Sequence, residues 1–236
     1  MSDPFAGPVA ARYDESTAGM PVEPVVDFLL PLAGGGALEL AIGTGRIALP
    51  LAERGVRVAG IDLSPDMVAE LRKKPGGDPI PVAIGDMTTT RVEGPFSLAY
   101  VVYNSIFNLR TQERQVACFE NVSSQLEPGG AFVVEIMVPE LQRLPLGDRF
   151  LLFDASPDHV GFDEYDLVTQ GLTSHHYDPE RGTYSTFPGR YIWPSELDLM
   201  ARLAGLELRE RWADWDRTPF TAESTKHVSV WEKPSG

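Results

Sequence analysis

Cysteine is nearly absent: the 236 residues hold one, Cys118. That excludes an intrachain disulfide and a thiolate metal cluster, and it fits a reducing compartment. Cys118 falls in a helical pattern, where a lone cysteine acts as a small buried side chain rather than a nucleophile. Histidine is scarce too, four in all, and apart from the pair His175-His176 they are scattered, so no metal-ligand spacing is present. Positive charge is in deficit, with 20 Lys and Arg against 34 Asp and Glu and a net charge of −14. So acidic a chain lacks the clustered cations that follow a nucleic-acid backbone or hold an anionic membrane surface. Near the N-terminus the longest apolar span, Val25 to Ala33, is too short to cross a bilayer and is interrupted by Asp27 and Pro31. These absences point to a cytoplasmic protein with a small-molecule partner, neither nucleic acid nor membrane.

What is present is enough apolar residue, 43%, to build a substantial core. Ala37-Leu-Glu-Leu-Ala-Ile-Gly-Thr-Gly45 reads as a buried strand running into a glycine turn, with a helix from Arg46 to Arg54. Pro50 predicts an early kink in that helix. Val56 to Ile61 is a second strand ending at Asp62, and Ser64-Pro65 caps and opens the next helix. Ile80 to Ile84, Phe96 to Val102 and Ala131 to Val138 complete five strands, the last preceded by an amphipathic helix from Thr111 to Leu126. This alternation predicts an α/β fold with a doubly wound, mostly parallel sheet, whose strand C-termini share one ligand-binding edge.

Before and after this core the pattern differs. Residues 1–20 read as polar and irregular, and Val22 to Leu32 as a helix face. Residues 148–193 alternate polar and apolar positions and predict two or three antiparallel strands; Pro194 to Ala204 is a helix, and two strands, Leu206 to Trp215 and Lys226 to Glu232, close one edge of the sheet as a hairpin. The whole is one domain, 1–236: an N-terminal segment 1–33, a core 34–140, a β-rich cap 141–193 and a C-terminal part 194–236, with seven strands in the main sheet.

Gly43-Thr44-Gly45-Arg46-Ile47-Ala48 matches the dinucleotide pattern G-x-G-x-x-G/A, and Asp62 stands where a carboxylate accepts ribose hydroxyls. By itself this suits NAD. Glu39 argues otherwise, because a carboxylate inside the first strand suits a ligand bearing an ammonium group. Gly85-Asp86-Met87, just past the third strand, offers an acceptor for an exocyclic amine and an apolar flank for a purine. No second βαβ half follows to receive a nicotinamide mononucleotide. One adenosine, no phosphates and an amino-acid tail describe S-adenosylmethionine.

Leu38 to Gly45, Gly60-Ile61-Asp62-Leu63-Ser64 through Met67, Gly85-Asp86-Met87 and Leu126-Glu127-Pro128-Gly129-Gly130 together resemble, in order, the motifs of the class I S-adenosylmethionine-dependent methyltransferases, over about residues 25–138. The resemblance is to the small-molecule branch, including amino-sugar and natural-product enzymes. It implies a Rossmann-like sheet with an N-terminal helical lid and an antiparallel insertion after strand five. It also implies that Glu39, Gly43 and Gly45 hold the methionine moiety, Asp62 the ribose, and Met67, Asp86 and Met87 the adenine, with Tyr13 over the cofactor. Ala41 departs from the family, which has glycine there, and alanine does not readily take the positive φ open to glycine.

Methyl transfer is an in-line displacement in which alignment supplies much of the rate, though an oxygen acceptor also calls for a base. Tyr103-Asn104, just past strand four, should face the methyl group. His175 and His176 in the cap are the general-base candidates, and on a regular strand only one of them faces inward. Arg190-Tyr191-Ile192-Trp193 reads as a wall of the acceptor pocket. The resulting expectation is methyl transfer to oxygen or nitrogen of a small molecule, by a monomer or a homodimer. The alternative is a fold relative that binds the cofactor for a non-methylating reaction such as cyclisation, or has lost catalysis.

Overall fold

The computed structural model describes residues 5–235. Its main sheet contains β1 (Ala37–Leu40), β2 (Val58–Asp62), β3 (Val82–Ile84), β4 (Phe96–Val101), β5 (Leu126–Met137), β10 (Glu207–Trp212) and β11 (Lys226–Glu232). A second sheet, the cap, contains β6 (Phe150–Ala155), β7 (Val160–Asp166), β8 (Gly171–Asp178) and β9 (Thr183–Arg190). The helices are α1 (Pro8–Thr17), α2 (Glu23–Leu29), α3 (Ala48–Glu53), α4 (Pro65–Arg72), α5 (Gln112–Gln125) and α6 (Pro194–Leu203).

The seven strands run in the order β10-β11-β5-β4-β1-β2-β3. β1 to β5 are mutually parallel, whereas β11 is antiparallel to both β5 and β10. The strand order reverses between β1 and β4, which opens a crevice at their C-terminal ends. Alternate residues of β1 serve opposite faces: Leu38 and Leu40 pack with Phe119 of α5 and Met200 of α6, while Ala37 joins Val26 and Phe28 of α2 and Leu51 of α3. Burial on both faces is why β4 reads as an unbroken apolar run. Cys118 lies fully buried in the α5 face, and burial pushes its thiol up to about 12, which leaves it un-ionised.

Several elements differ from expectation. The N-terminal stretch, irregular by its residue pattern, contains helix α1, in keeping with the helical lid that the resemblance implies; it lies against α4 and buries little more than Ala10 and Thr17, so it has no apolar stripe to mark it. Helix α3 begins at Ala48, so Pro50 is its third residue, in the first turn rather than the second, where N–H groups have no helical acceptor. The cap has four strands rather than two or three, because β6 (Phe-Leu-Leu-Phe-Asp-Ala) lacks the alternation that marks the others. Among the described residues, no helix is long and apolar enough to cross a membrane.

The cap presents one face to the core. Tyr165, Leu172 and Tyr191 pack there against Phe107, and a side chain at Gly189 would collide with the Phe107 ring. The base of the cap is fastened by Arg190, which is buried and donates to Glu196 of α6 (2.6 Å), Gln115 of α5 (2.6 Å) and Gln170 (2.9 Å). Arg190 is therefore a clamp between cap and core, not a pocket wall.

Candidate active site

A cleft of about 160 Å³, open to solvent, lies across the C-terminal ends of β1, β2 and β4 and reaches beneath the cap. Glu39, Gly43, Asp62, Met67, Asp86, Met87 and Tyr13 all line it, and so do Tyr103 and, from β9, Phe187 and Pro188.

Glu39 is 3% exposed. Its Oε2 accepts the Tyr100 hydroxyl at 2.9 Å from the neighbouring strand. Burial pushes its carboxyl up to about 8, against the Tyr100 hydrogen bond and the Arg46 cation, which favour the charged form. A buried acid held protonated near neutrality is a receptor for a cation: a positive group beside it would restore the carboxylate. Past β1 the chain turns through Ala41 (φ 53°), Gly43 (φ 56°) and Gly45 (φ 78°). Ala41 thus does take the left-handed conformation that alanine disfavours, at a cost of roughly 1–2 kcal/mol. A side chain at Gly43 would lie 3.1 Å from Met67 Cε, and one at Gly45 would collide with Leu71, so these glycines also keep the turn pressed onto α4.

Asp62 ends β2 and is 7% exposed. Its Oδ2 accepts the Gly43 N–H at 2.6 Å and its Oδ1 the Ser64 N–H at 2.8 Å. One carboxylate thereby ties the glycine turn to the start of α4, where Ser64 accepts the Met67 N–H. Asp86 is held by Thr88, whose N–H and hydroxyl both donate to Oδ1, and by Arg114, 2.6 Å from Oδ2. Partial burial alone would raise the Asp86 carboxyl, but these hydrogen bonds hold it below the usual range, so it stays ionised.

On the other side of the cleft, Tyr103 (φ 54°) and Asn104 (φ 58°) are consecutive left-handed residues just past β4. The bend is pinned to β5: Tyr103 N–H donates to Glu135 Oε2 (3.0 Å) and Asn104 Oδ1 accepts the Met137 N–H (2.7 Å). Trp215 Nε1–H occupies the other Glu135 oxygen at 3.0 Å. The Asn104 side chain is thus spent on the backbone, and it is the Tyr103 ring, under the Arg46 guanidinium at 5.9 Å, that lines the cleft. His175 and His176 point to opposite faces of β8. His175 stacks on Phe162 with ring centroids 4.5 Å apart and lies near Tyr184 and Glu164. His176 shares the inner face with Phe187, 5.4 Å between centroids. The fourth histidine, His227, is buried in β11; burial lowers it to about 3 and it stays neutral.

Residues 37–130 match the methyltransferase domain family. The chain is 30% identical over 215 residues to the cypemycin N-terminal methyltransferase of a Streptomyces species, covering 86% of this chain and 85% of that one. The CcbJ methyltransferase of Streptomyces caelestis is 36% identical and superposes with a TM-score of 0.84 over 98% of both chains. This chain is a class I S-adenosylmethionine-dependent methyltransferase. The fold is shared with the amino pentose methyltransferase CalS10 of Micromonospora echinaspora, solved with S-adenosylmethionine (TM-score 0.70, 20% identity, 99% of both chains).

The residues of this methyltransferase suit its cofactor. A protonated buried acid, a tight turn whose glycines leave backbone unobstructed, and the apolar side chains of Met67 and Met87 all line the one cleft. Helix α1 lies over the cleft as a lid, with Tyr13 facing in and Phe5 edge-on to it at 6.3 Å. Burial, then the nearby Tyr103, pushes the Tyr13 phenol up to about 12, so it remains a neutral donor. The lid is latched by Asp14, which accepts the Thr44 hydroxyl (2.6 Å) and pairs with Lys74 (2.5 Å), and by Gly7 N–H on Asp66 (2.6 Å). Asp14→Ala should release that latch and raise the dissociation rate of S-adenosylhomocysteine several-fold, about the effect of one charge-assisted bond partly open to solvent; stopped-flow displacement measures it, and an unchanged rate removes the latch. Asp14, Glu135, Phe5 and Phe187 carry no motif in the sequence. The proximity of Asp14 to Tyr13 was the one available signal.

Proposed function

We propose that this methyltransferase acts on a nitrogen or oxygen of a small-molecule acceptor held between the sheet edge and the cap. Glu39, Gly43 and Gly45 would hold the methionine part of the cofactor, Asp62 the ribose, and Met67, Asp86 and Met87 the adenine, with Tyr13 closing over it. The bound cofactor supplies a methyl group on a positively charged sulfur. The protein's own contribution is to orient the acceptor and to dispose of its proton. Tyr103, fixed by two left-handed residues and the Glu135 hydrogen bond, forms the wall between the two ligands.

The observation that carries this reading is the continuity of the cleft from the Asp62 edge to Phe187 and Pro188 of the cap. A site for the cofactor alone needs no cap. Nitrogen is the first acceptor to test, since relatives are described as an N-terminal methyltransferase and as an amino-sugar N,N-dimethyltransferase of Streptomyces venezuelae, the latter 34% identical over 101 residues.

Incubating the purified protein with S-adenosylmethionine and a panel of dTDP-linked amino sugars, short peptides with free N-termini and hydroxylated aromatics should yield S-adenosylhomocysteine and a product heavier by one CH2, read by mass spectrometry. Tight cofactor binding with a rearranged but unmethylated product would favour cyclisation instead.

A further inference from the structure

Methylation of an N–H or O–H acceptor releases one proton per turnover into a cleft covered by the cap. On the inner face of the cap a continuous polar chain begins beside Phe187 of the cleft wall and runs to the cap's rim. In the β8–β9 register Ser174 stands opposite Phe187, a residue of the cleft wall, so its hydroxyl is on the same face and beside it. Ser174 Oγ lies 3.1 Å from His176 Nε2. His176 Nδ1 lies 3.0 Å from His159 Nε2, and His159 Nδ1 lies 2.7 Å from Asp154 Oδ2. Each imidazole is bonded through both ring nitrogens, as a proton relay requires. The outer end is wet: the His159 and Asp154 side chains are 32% and 40% exposed.

We propose that Ser174, His176, His159 and Asp154 form a proton-exit wire, which takes the proton leaving the acceptor and delivers it to solvent at the rim of the cap. The inference rests on the N- or O-acceptor reading above. As the acceptor atom gains the methyl carbon and its bond to hydrogen breaks, Ser174 Oγ receives that proton, turns its own proton from Asp163 to His176 Nε2 and passes it there. His176 gives its Nδ1 proton to His159 Nε2. His159 is then an imidazolium against the Asp154 carboxylate, from which water removes the extra proton. Exchange with solvent between turnovers restores the starting tautomers. The net change is methylated acceptor, S-adenosylhomocysteine and one released proton. Ser174 is the catalytic residue of the wire, and the two histidines and Asp154 act through it.

The surroundings of His176 suit this role. Phe153 of β6 (5.5 Å) and Phe187 of β9 are apolar neighbours; the ionisable groups around it are His159, Asp154 behind it, His175 on the opposite face of β8, and Asp163 of β7, which Ser174 also hydrogen-bonds. Burial, then the neighbouring histidines, holds His176 below the ordinary histidine range, so it is neutral and able to accept near pH 7. Burial, opposed by the Ser174 hydrogen bond, raises the Asp163 carboxyl.

Two measurements on the full chain decide the proposal. In the S-adenosylhomocysteine complex, ¹⁵N NMR of labelled histidines should show His159 and His176 sharing one proton in a coupled titration, moved to lower pH by Asp154→Asn. With the first acceptor of the panel to turn over, His159→Gln should lower kcat about tenfold at pH 7, within the range of acid–base assistance, and leave KM and S-adenosylhomocysteine affinity unchanged. The deficit should close as pH rises or when imidazole is added, which loss of a merely structural contact would not do. Independent titrations of the two rings overturn the wire, as does a wild-type pH profile in His159→Gln. Absence of turnover with every acceptor counts against the acceptor reading, and the histidine titration then decides the wire alone.

Discussion

Asp62→Ala will weaken S-adenosylmethionine binding by about a hundredfold or more. Two losses combine. The carboxylate that would receive the ribose hydroxyls disappears, and hydrogen bonds to a charged acceptor are worth about 1.5–3 kcal/mol each, where about 1.4 kcal/mol is a factor of ten. The Gly43 and Ser64 N–H groups also lose their shared anchor, so the glycine turn is no longer held in register with α4. Asp62→Asn separates the two: one amide oxygen can still serve an N–H, while the amine must face the other donor or the ligand, and the loss should be intermediate. Titration calorimetry reads the affinity, with thermal unfolding of each variant confirming that the fold survives. An Asp62→Ala protein that binds with the wild-type Kd would remove Asp62 from the site.

Glu39→Gln will abolish a pH dependence that the wild type carries in both binding and stability. The unfolded carboxyl titrates near 4.5, the folded one near 8. Below pH 4.5 both states are protonated and the group contributes no slope. Between 4.5 and 8 the unfolded chain releases its proton while the folded chain keeps it, so stability without cofactor falls as pH rises through that window and levels off above it. An ammonium group beside Glu39 favours the carboxylate, so cofactor binding should release a proton and tighten as pH approaches 8. In the glutamine variant the stability difference from wild type should grow in its favour with pH, while binding weakens about tenfold or more and takes place without Glu39's proton. Denaturation at pH 5 and pH 8 reads the first effect; calorimetry in two buffers of different ionisation enthalpy reads the second. Equal proton release in both proteins would show that the ligand's cation lies elsewhere.

The cofactor half of this enzyme is legible because its signals are local. A buried strand, its glycine turn and the acid ending the next strand lie close together in sequence, and their spacing follows from one βαβ unit. The Glu39–Tyr100 contact is not local, but Glu39 is conspicuous by itself, a carboxylate inside an apolar strand. The acceptor half depends on hairpin register, which a sequence of alternating residues does not fix. The parity of β8 says that only one of His175 and His176 faces inward. It does not say that His176 meets His159 of the β6–β7 turn or that Phe187 stands opposite Ser174. The clamp made by Arg190 is hidden in the sequence for a similar reason: its partners Gln115, Gln170 and Glu196 come from three separate segments. Helix α1 lies over the molecule rather than within it and has no apolar stripe, so the resemblance to the family, and not periodicity, is what points to it.

The pairing of β5 with β11 has a consequence for how the chain folds. Met137 is paired with Lys226, so the cap, α6 and β10, all within residues 138–225, lie in the loop that must close before that half of the sheet exists. Closing a flexible loop costs entropy that grows with its length. The cap, however, is a meander in which β6, β7, β8 and β9 each pair with the next in sequence. Contacts of that kind form early, and once formed they shorten the flexible chain left to close. The cap therefore has a part in assembly as well as a place at the cleft. Substitutions that loosen its hairpins should slow the docking of β11 even where they touch neither ligand.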